Sequence, residues 1–164
     1  MVKELYSAAE RHKASLIAAQ GEQINAQAAR FKRFVEKLLG DRQVTGDIVV
    51  NVSQVEKGAA LDFTIDTSHA AIQAVFQHAF RDETLVGRYR FTFVSKDANG
   101  TTNTNEIWSL LLDGHGRATW SDAGEWDWSF DDNGGGFAVV TAREFLCTLL
   151  IQIQKVLPHI KVGP

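Results

Sequence analysis

The sequence predicts an α+β domain: a curved antiparallel β-sheet of six or seven strands packed by helices, in the order αββαββββα. Three observations carry this prediction. Between Leu85 and Asp131, apolar residues alternate with polar ones and are interrupted by short Gly, Asn and Asp turns, the pattern of a strand meander. The same stretch concentrates Tyr89, Phe91, Phe93, Trp108, Trp120, Trp126, Trp128 and Phe130, the bulk that one buried sheet face would need. On either side, residues 24–39 and 141–157 repeat apolar side chains at helical spacing.

Length and composition fit a single unit. A chain of 164 residues, 45% hydrophobic and 23% charged, is long enough for one core and too apolar for wholesale disorder. Residues 1–164 are therefore read as one α+β domain, with 1–20 as an N-terminal helix that is either loose or packed on a partner.

In chain order, residues 3–39 are rich in Ala, Glu, Gln, Lys and Leu and contain no proline, so they read as helix. The apolar stripe Ile24, Ala28, Phe31, Val35 and Leu38 begins only after Gly21, and Gly40 offers a C-terminal stop. Before Gly21 the stripe is thin, and an unbroken helix would be about 55 Å long at 1.5 Å per residue, longer than a small domain is wide. The pattern thus predicts a division at Gly21.

Ile48, Val50 and Val52 alternate with polar or exposed positions, as do Leu61, Phe63 and Ile65, and Glu56-Lys57-Gly58 predicts a turn joining them as a hairpin. Asp66-Thr67-Ser68 supplies N-capping oxygens, and Ile72, Val75, Phe76 and Ala79 fall on one face of a short helix ended by Arg81-Asp82-Glu83. The meander follows, through turns at Asp97–Gly100, Asp113–Gly116 and Asp122–Gly124. Ile107 and Leu111 make the Trp108–Leu112 strand apolar on both faces, which predicts a central strand covered twice. Thr141-Ala142-Arg143-Glu144 matches a capping box for a final helix, stopped by Pro158.

The formal net charge of −3 does not favour nucleic acid. Arg30, Lys32, Arg33 and Lys37 interleave with Phe31 and Phe34, yet those rings belong to the buried side of the helix and are not free to stack on bases. No apolar run approaches the length of a membrane span, and the start lacks a signal peptide's apolar core. The single cysteine, Cys147, forms no internal disulfide and suits a reducing compartment, so a cytoplasmic protein is expected.

Candidate sites are few. His115 and Asp113 in a Gly-flanked turn form the best-looking catalytic pair, with no nucleophile assignable beside them, so a hydrolase-type enzyme ranks low. Asp131, Asp132 and Asn133 before three glycines gather oxygen ligands as a calcium loop would, but Ala142 occupies the position where an EF-hand needs its last acid. The five histidines show no ligand spacing, so no cofactor or metal is expected. Tyr89, Trp108, Trp126 and Trp128 are candidates to line a pocket for a small apolar ligand beneath the final helix. Ahead of both readings stands a non-catalytic interaction domain, an oligomer, adaptor or chaperone-like binder using its N- and C-terminal helices, because those helices carry more apolar surface than one sheet face needs.

Overall fold

The computed structural model describes residues 2–54, 60–130 and 136–163. The chain opens with a long helix, α1 (Ala8–Leu39), and a one-turn helix, α2 (Arg42–Thr45). Seven strands follow: β1 (Val50–Gln54), β2 (Phe63–Thr67), β3 (Ala71–Arg81), β4 (Thr84–Lys96), β5 (Thr102–Leu112), β6 (Arg117–Ala118) and β7 (Trp128–Ser129). The closing helix is α3 (Gly136–Val156). The strands lie in sequence order, each antiparallel to the next, and curl into a half-barrel. A register shift between Phe91 and Thr92 of β4 bends the sheet there, as a β-bulge does. The fold is the expected α+β class, helices packed on a curled antiparallel sheet.

The concave side holds the core. From β3 to β5, Ile72, Ala74, Tyr89, Phe91, Trp108, Leu110 and Leu112 point inward at alternate positions and are buried. Phe31 of α1 is the central plug. Its ring centroid lies 5.0–6.4 Å from those of Phe34, Phe63, Tyr89, Trp128, Phe130 and Phe145. Phe145 of α3 closes the other side against Phe91 at 5.9 Å and Trp108 at 5.4 Å.

Two glycines let α1 come close to the sheet. A Cβ on Gly87 of β4 would stand 2.8 Å from Phe76 and 2.9 Å from Ile24, and one on Gly21 would stand 2.9 Å from the His78 ring. Gly21 therefore does not break the helix. It is a contact point, and α1 runs unbroken for 32 residues, about 48 Å at 1.5 Å per residue.

The largest departure from expectation is at residues 71–81. The expected short helix is β3, the second strand from the β1 side to be paired on both edges. Ile72, Val75, Phe76 and Ala79 satisfy helical spacing, but Ile72, Ala74 and Phe76 also satisfy alternation, and ten residue pairs with β4 decide between the two. The hydroxyl expected to cap a helix makes a hairpin instead: Thr67 Oγ1 accepts from the amides of His69 and Ala70 at 3.2 Å and donates to the Ala70 carbonyl at 2.8 Å.

Smaller corrections follow the same logic. α3 starts at Gly136, so Thr141–Glu144 lies inside the helix and is not its cap. The alternation of the meander predicts strands over 117–121 and 125–130, and these pair for two residues each, as β6 and β7. The turn expected at Glu56-Lys57-Gly58 lies outside the described residues. β5 is covered on both faces as expected: Leu111, on the convex side, is 3% exposed, and its amide donates to Thr119 Oγ1 at 3.0 Å.

Candidate functional site

Tyr89 is part of the scaffold. Its hydroxyl donates to the Leu61 carbonyl at 2.7 Å, with the Ala28 carbonyl 3.3 Å away, so the polar end that a ligand could have used joins β4 to the β2 approach and to α1. Burial, and then the nearby Asp62 carboxylate, push its phenol well above the ordinary range. Trp108 and Trp128 belong to a stacked row: Phe91 on Trp108 at 4.7 Å, Trp108 on Trp120 at 6.4 Å, Trp120 on Trp128 at 4.6 Å. Both buried indoles use their N–H groups internally, Trp108 on the Trp120 carbonyl at 2.8 Å and Trp128 on the Thr119 carbonyl at 3.1 Å. Trp126 is not in the row. It is half-buried, with the Arg81 guanidinium 5.3 Å from its ring centroid.

Phe31 and Phe145 occupy the space between this aromatic face and α3. Three concavities elsewhere, of about 470, 360 and 350 Å³, lie respectively beside Arg33, Phe34 and Phe130, beside Gly40 and Val49, and beside Tyr6 and Ala14.

Asp113 is a turn-holding carboxylate. Its Oδ1 accepts from the amides of His115 at 2.8 Å and Arg117 at 2.9 Å, and its Oδ2 accepts from Arg117 Nε at 2.6 Å. These bonds close the β5–β6 turn, where Gly116 takes a φ of +81°. The carboxylate therefore bonds the His115 backbone, and the His115 side chain is exposed. Asp131, Asp132 and Asn133 lie outside the described residues. Among the described residues, no three His, Cys, Asp or Glu side chains gather as a metal site would require.

The densest polar cluster was not expected from the sequence. On the convex face Arg88 bonds Asp122 through Nε at 3.1 Å and Nη2 at 2.8 Å, and reaches Glu106 at 3.0 Å. Ser109 donates to Asp122 at 2.7 Å, and Arg90 pairs with Glu106 at 3.4 Å. The Arg88 bond raises the guanidinium's pKa. For Asp122, burial pushes the carboxyl upward, but bonds from Arg88 and Ser109 outweigh it and leave the carboxyl lowered. Arg81 donates to the Gly124 carbonyl at 2.7 Å, so this cluster straps the segment after β6 over the sheet. Alternation along the strands would let Arg88 and Arg90 pair with Glu125 and Asp127 if their polar faces coincided, but the partners are Glu106 and Asp122. Only strand register could have revealed that. Arg88, Ser109 and Asp122 bond one another in a partly exposed network, as a structural strap requires, whereas Arg90 Nε is buried without a hydrogen bond although it lies 3.4 Å from Glu106.

What remains is the first part of α1. Between Ala8 and Gln20 only Ile17 is as much as half-buried. A capping box fixes where the helix starts: the Glu10 amide donates to Ser7 Oγ at 3.1 Å and the Ser7 amide to Glu10 Oε2 at 2.7 Å. Local chemistry thus sets a helix start beyond the reach of the sheet. Leu16 is 51% exposed. At the root of this arm, Ile17 stands one turn before Gly21. Phe80, on the helix-facing side of β3 two residues beyond His78, is 57% exposed. On α3 the exposed Val140, Cys147 and Ile151 make a thinner outward stripe, so Cys147 is a surface thiol.

No described helix is long and apolar enough to cross a membrane. No family model matches the chain, and neither does any curated protein or solved structure.

Proposed function

We propose that the protein is a non-catalytic assembly domain that joins other copies of itself through the arm formed by Ala8–Gln20. One observation supports this most: the arm is a continuous, locally capped helix that buries almost nothing in its own domain. A helix of that length gains little in water from propensity alone, and in most proteins an amphipathic helix is stabilised by what it packs against. Five of the arm's residues are alanines (Ala8, Ala9, Ala14, Ala18, Ala19), which let another helix approach closely. Leu16, Ile17 and Phe80 provide apolar surface at its root, and the outward stripe of α3 could extend the contact. The net charge of −3 argues against nucleic acid as the partner, and the single cysteine against an oxidising compartment, so we infer a cytoplasmic assembly.

The test is equilibrium sedimentation of the full chain and of a chain lacking residues 1–20. The shortened chain keeps every buried residue of α1, so it should retain the near-ultraviolet circular dichroism of the packed aromatics and lose only the arm's share of the far-ultraviolet helical signal. The full chain should form an oligomer across the micromolar range and the shortened chain a smaller one. A full chain that stays monomeric, or a mass indifferent to the deletion, overturns the proposal.

A further inference from the structure

β1 is one edge of the half-barrel, and among the described residues β2 is its sole strand partner. An edge strand points a row of amides and carbonyls away from the sheet. Proteins ordinarily blunt such a row with a charged side chain, a proline, a bulge or a very short strand. The opposite edge follows that rule, since β7 pairs over two residues only.

β1 has none of these protections. The run Ile48-Val49-Val50-Asn51-Val52-Ser53-Gln54 contains no charge and no proline. Its five pairs with β2, from Val50↔Thr67 to Gln54↔Phe63, keep register without a bulge. The nearest lysine bound to the strand is Lys32 of α1, whose ammonium bonds the Gln54 side chain at the strand's end and the Ala60 carbonyl, the latter at 3.0 Å. Ile48 and Val49, leading into the strand, are 42% and 70% exposed. A concavity of about 360 Å³ beside them is lined by Leu39, Val49, Val50 and Asn51, with the charged Arg42 and Asp47 ahead of the run on its wall.

We propose that β1 is a second assembly surface, at which two copies pair their β1 strands antiparallel about a twofold axis passing beside Asn51. The strand is complementary to itself in that register. Val50 faces Val52 of the other copy, Val49 faces Ser53, and Asn51 faces Asn51. Even-numbered residues meet even-numbered ones, so the core-facing row of Val50 and Val52 continues across the junction and the polar row of Asn51 and Ser53 stays outside. No charge opposes a like charge, and every residue of the uncharged run is used. Two seven-stranded sheets would thereby become one. This surface is separate from the arm and does not depend on it.

The register provides its own test. Asn51 is exposed, so Asn51→Lys and Asn51→Asp should both fold, but each sets two like charges face to face across the twofold axis. At low ionic strength each variant alone should weaken this association about tenfold, and an equimolar mixture of the two should recover it as a mixed species, because lysine then faces aspartate. Sedimentation equilibrium of the full-length variants reads the first result, and native mass spectrometry of the mixture reads the second. A wild-type chain that does not associate, single variants that associate as the wild type does, or a mixture no tighter than its components would each overturn the proposal. A monomeric full chain would overturn both proposals, but a mass indifferent to deletion of residues 1–20 overturns the arm alone, and Asn51 variants that associate as the wild type does overturn the strand pairing alone.

Discussion

α1 is one helix with two unlike halves. From Gly21 to Leu39 it buries eight residues and supplies the ring around which the half-barrel closes. From Ala8 to Gln20 it buries none. Yet the backbone is continuous, and the outer half carries the better local signals: the alanines, the capping box and Glu10 in its first turn. The inner half is held by what it touches in its own domain, whereas the outer half has there only its composition, its cap and its continuity with the inner half. The same secondary structure therefore arises from two sources of free energy, and they should respond differently to substitution.

The largest expected contrast comes from truncating one side chain in each half. Phe31→Ala removes a fully buried ring that meets six others, and should cost about 3–5 kcal/mol in chemical denaturation. Leu16→Ala, at a half-exposed site, should stay within about 0.5 kcal/mol at low protein concentration. Equal losses at the two positions would mean that the arm is packed as tightly as the core.

Between these lies the Tyr89 hydroxyl, which donates to the Leu61 carbonyl just before β2 and stands 3.3 Å from the Ala28 carbonyl of the inner half. Tyr89→Phe keeps the ring among Phe31, Phe63 and Phe76 but leaves the Leu61 carbonyl without its donor, for an expected loss of about 1–3 kcal/mol. The urea midpoint should fall while the dependence on urea keeps its slope, because the surface exposed on unfolding is unchanged. An unchanged midpoint would mean that the carbonyl finds another partner once the hydroxyl is gone.

The two halves also mark what was legible in the sequence. The inner stripe from Ile24 to Leu38 reads directly as amphipathic helix, and the aromatic alternation from Tyr89 to Phe93 as strand, because in both the period of the side chains matches the period of the backbone. Residues 71–81 read as helix although they form a strand, because both periods fit them. Local pattern carries no term for the neighbouring strands β2 and β4, and these settle the matter. Gly21 misled for a related reason: a glycine that breaks a helix and a glycine that lets a helix lie close over His78 look identical until the sheet is in place. Of the candidate sites, Asp113 stands out in the sequence as one of a catalytic pair, and in the structure its carboxylate holds the turn. The Arg88–Asp122 strap and the position of β1 at the sheet edge among the described residues depend on which strands are neighbours. No motif spells that out.

The smallest expected effect on overall stability is the one that most sharpens the comparison. Ser7→Ala removes one half of the capping box and leaves the Glu10 amide without its acceptor, a local cost of about 1 kcal/mol. If the arm is an independent helix, that cost stays in it. Amide exchange should quicken roughly fivefold over the first turns after Ser7, while amides around Phe31 and the thermal midpoint hold still. The same variant also bears on assembly, because a helix docked on a second copy cannot fray without undocking. Faster exchange confined to the arm at low concentration, fading as concentration rises, is the expected signature of an arm that finds its packing surface on another chain. Faster exchange reaching Phe31 at every concentration would make the arm part of the cooperative domain after all, with both halves drawing on the same source of stability.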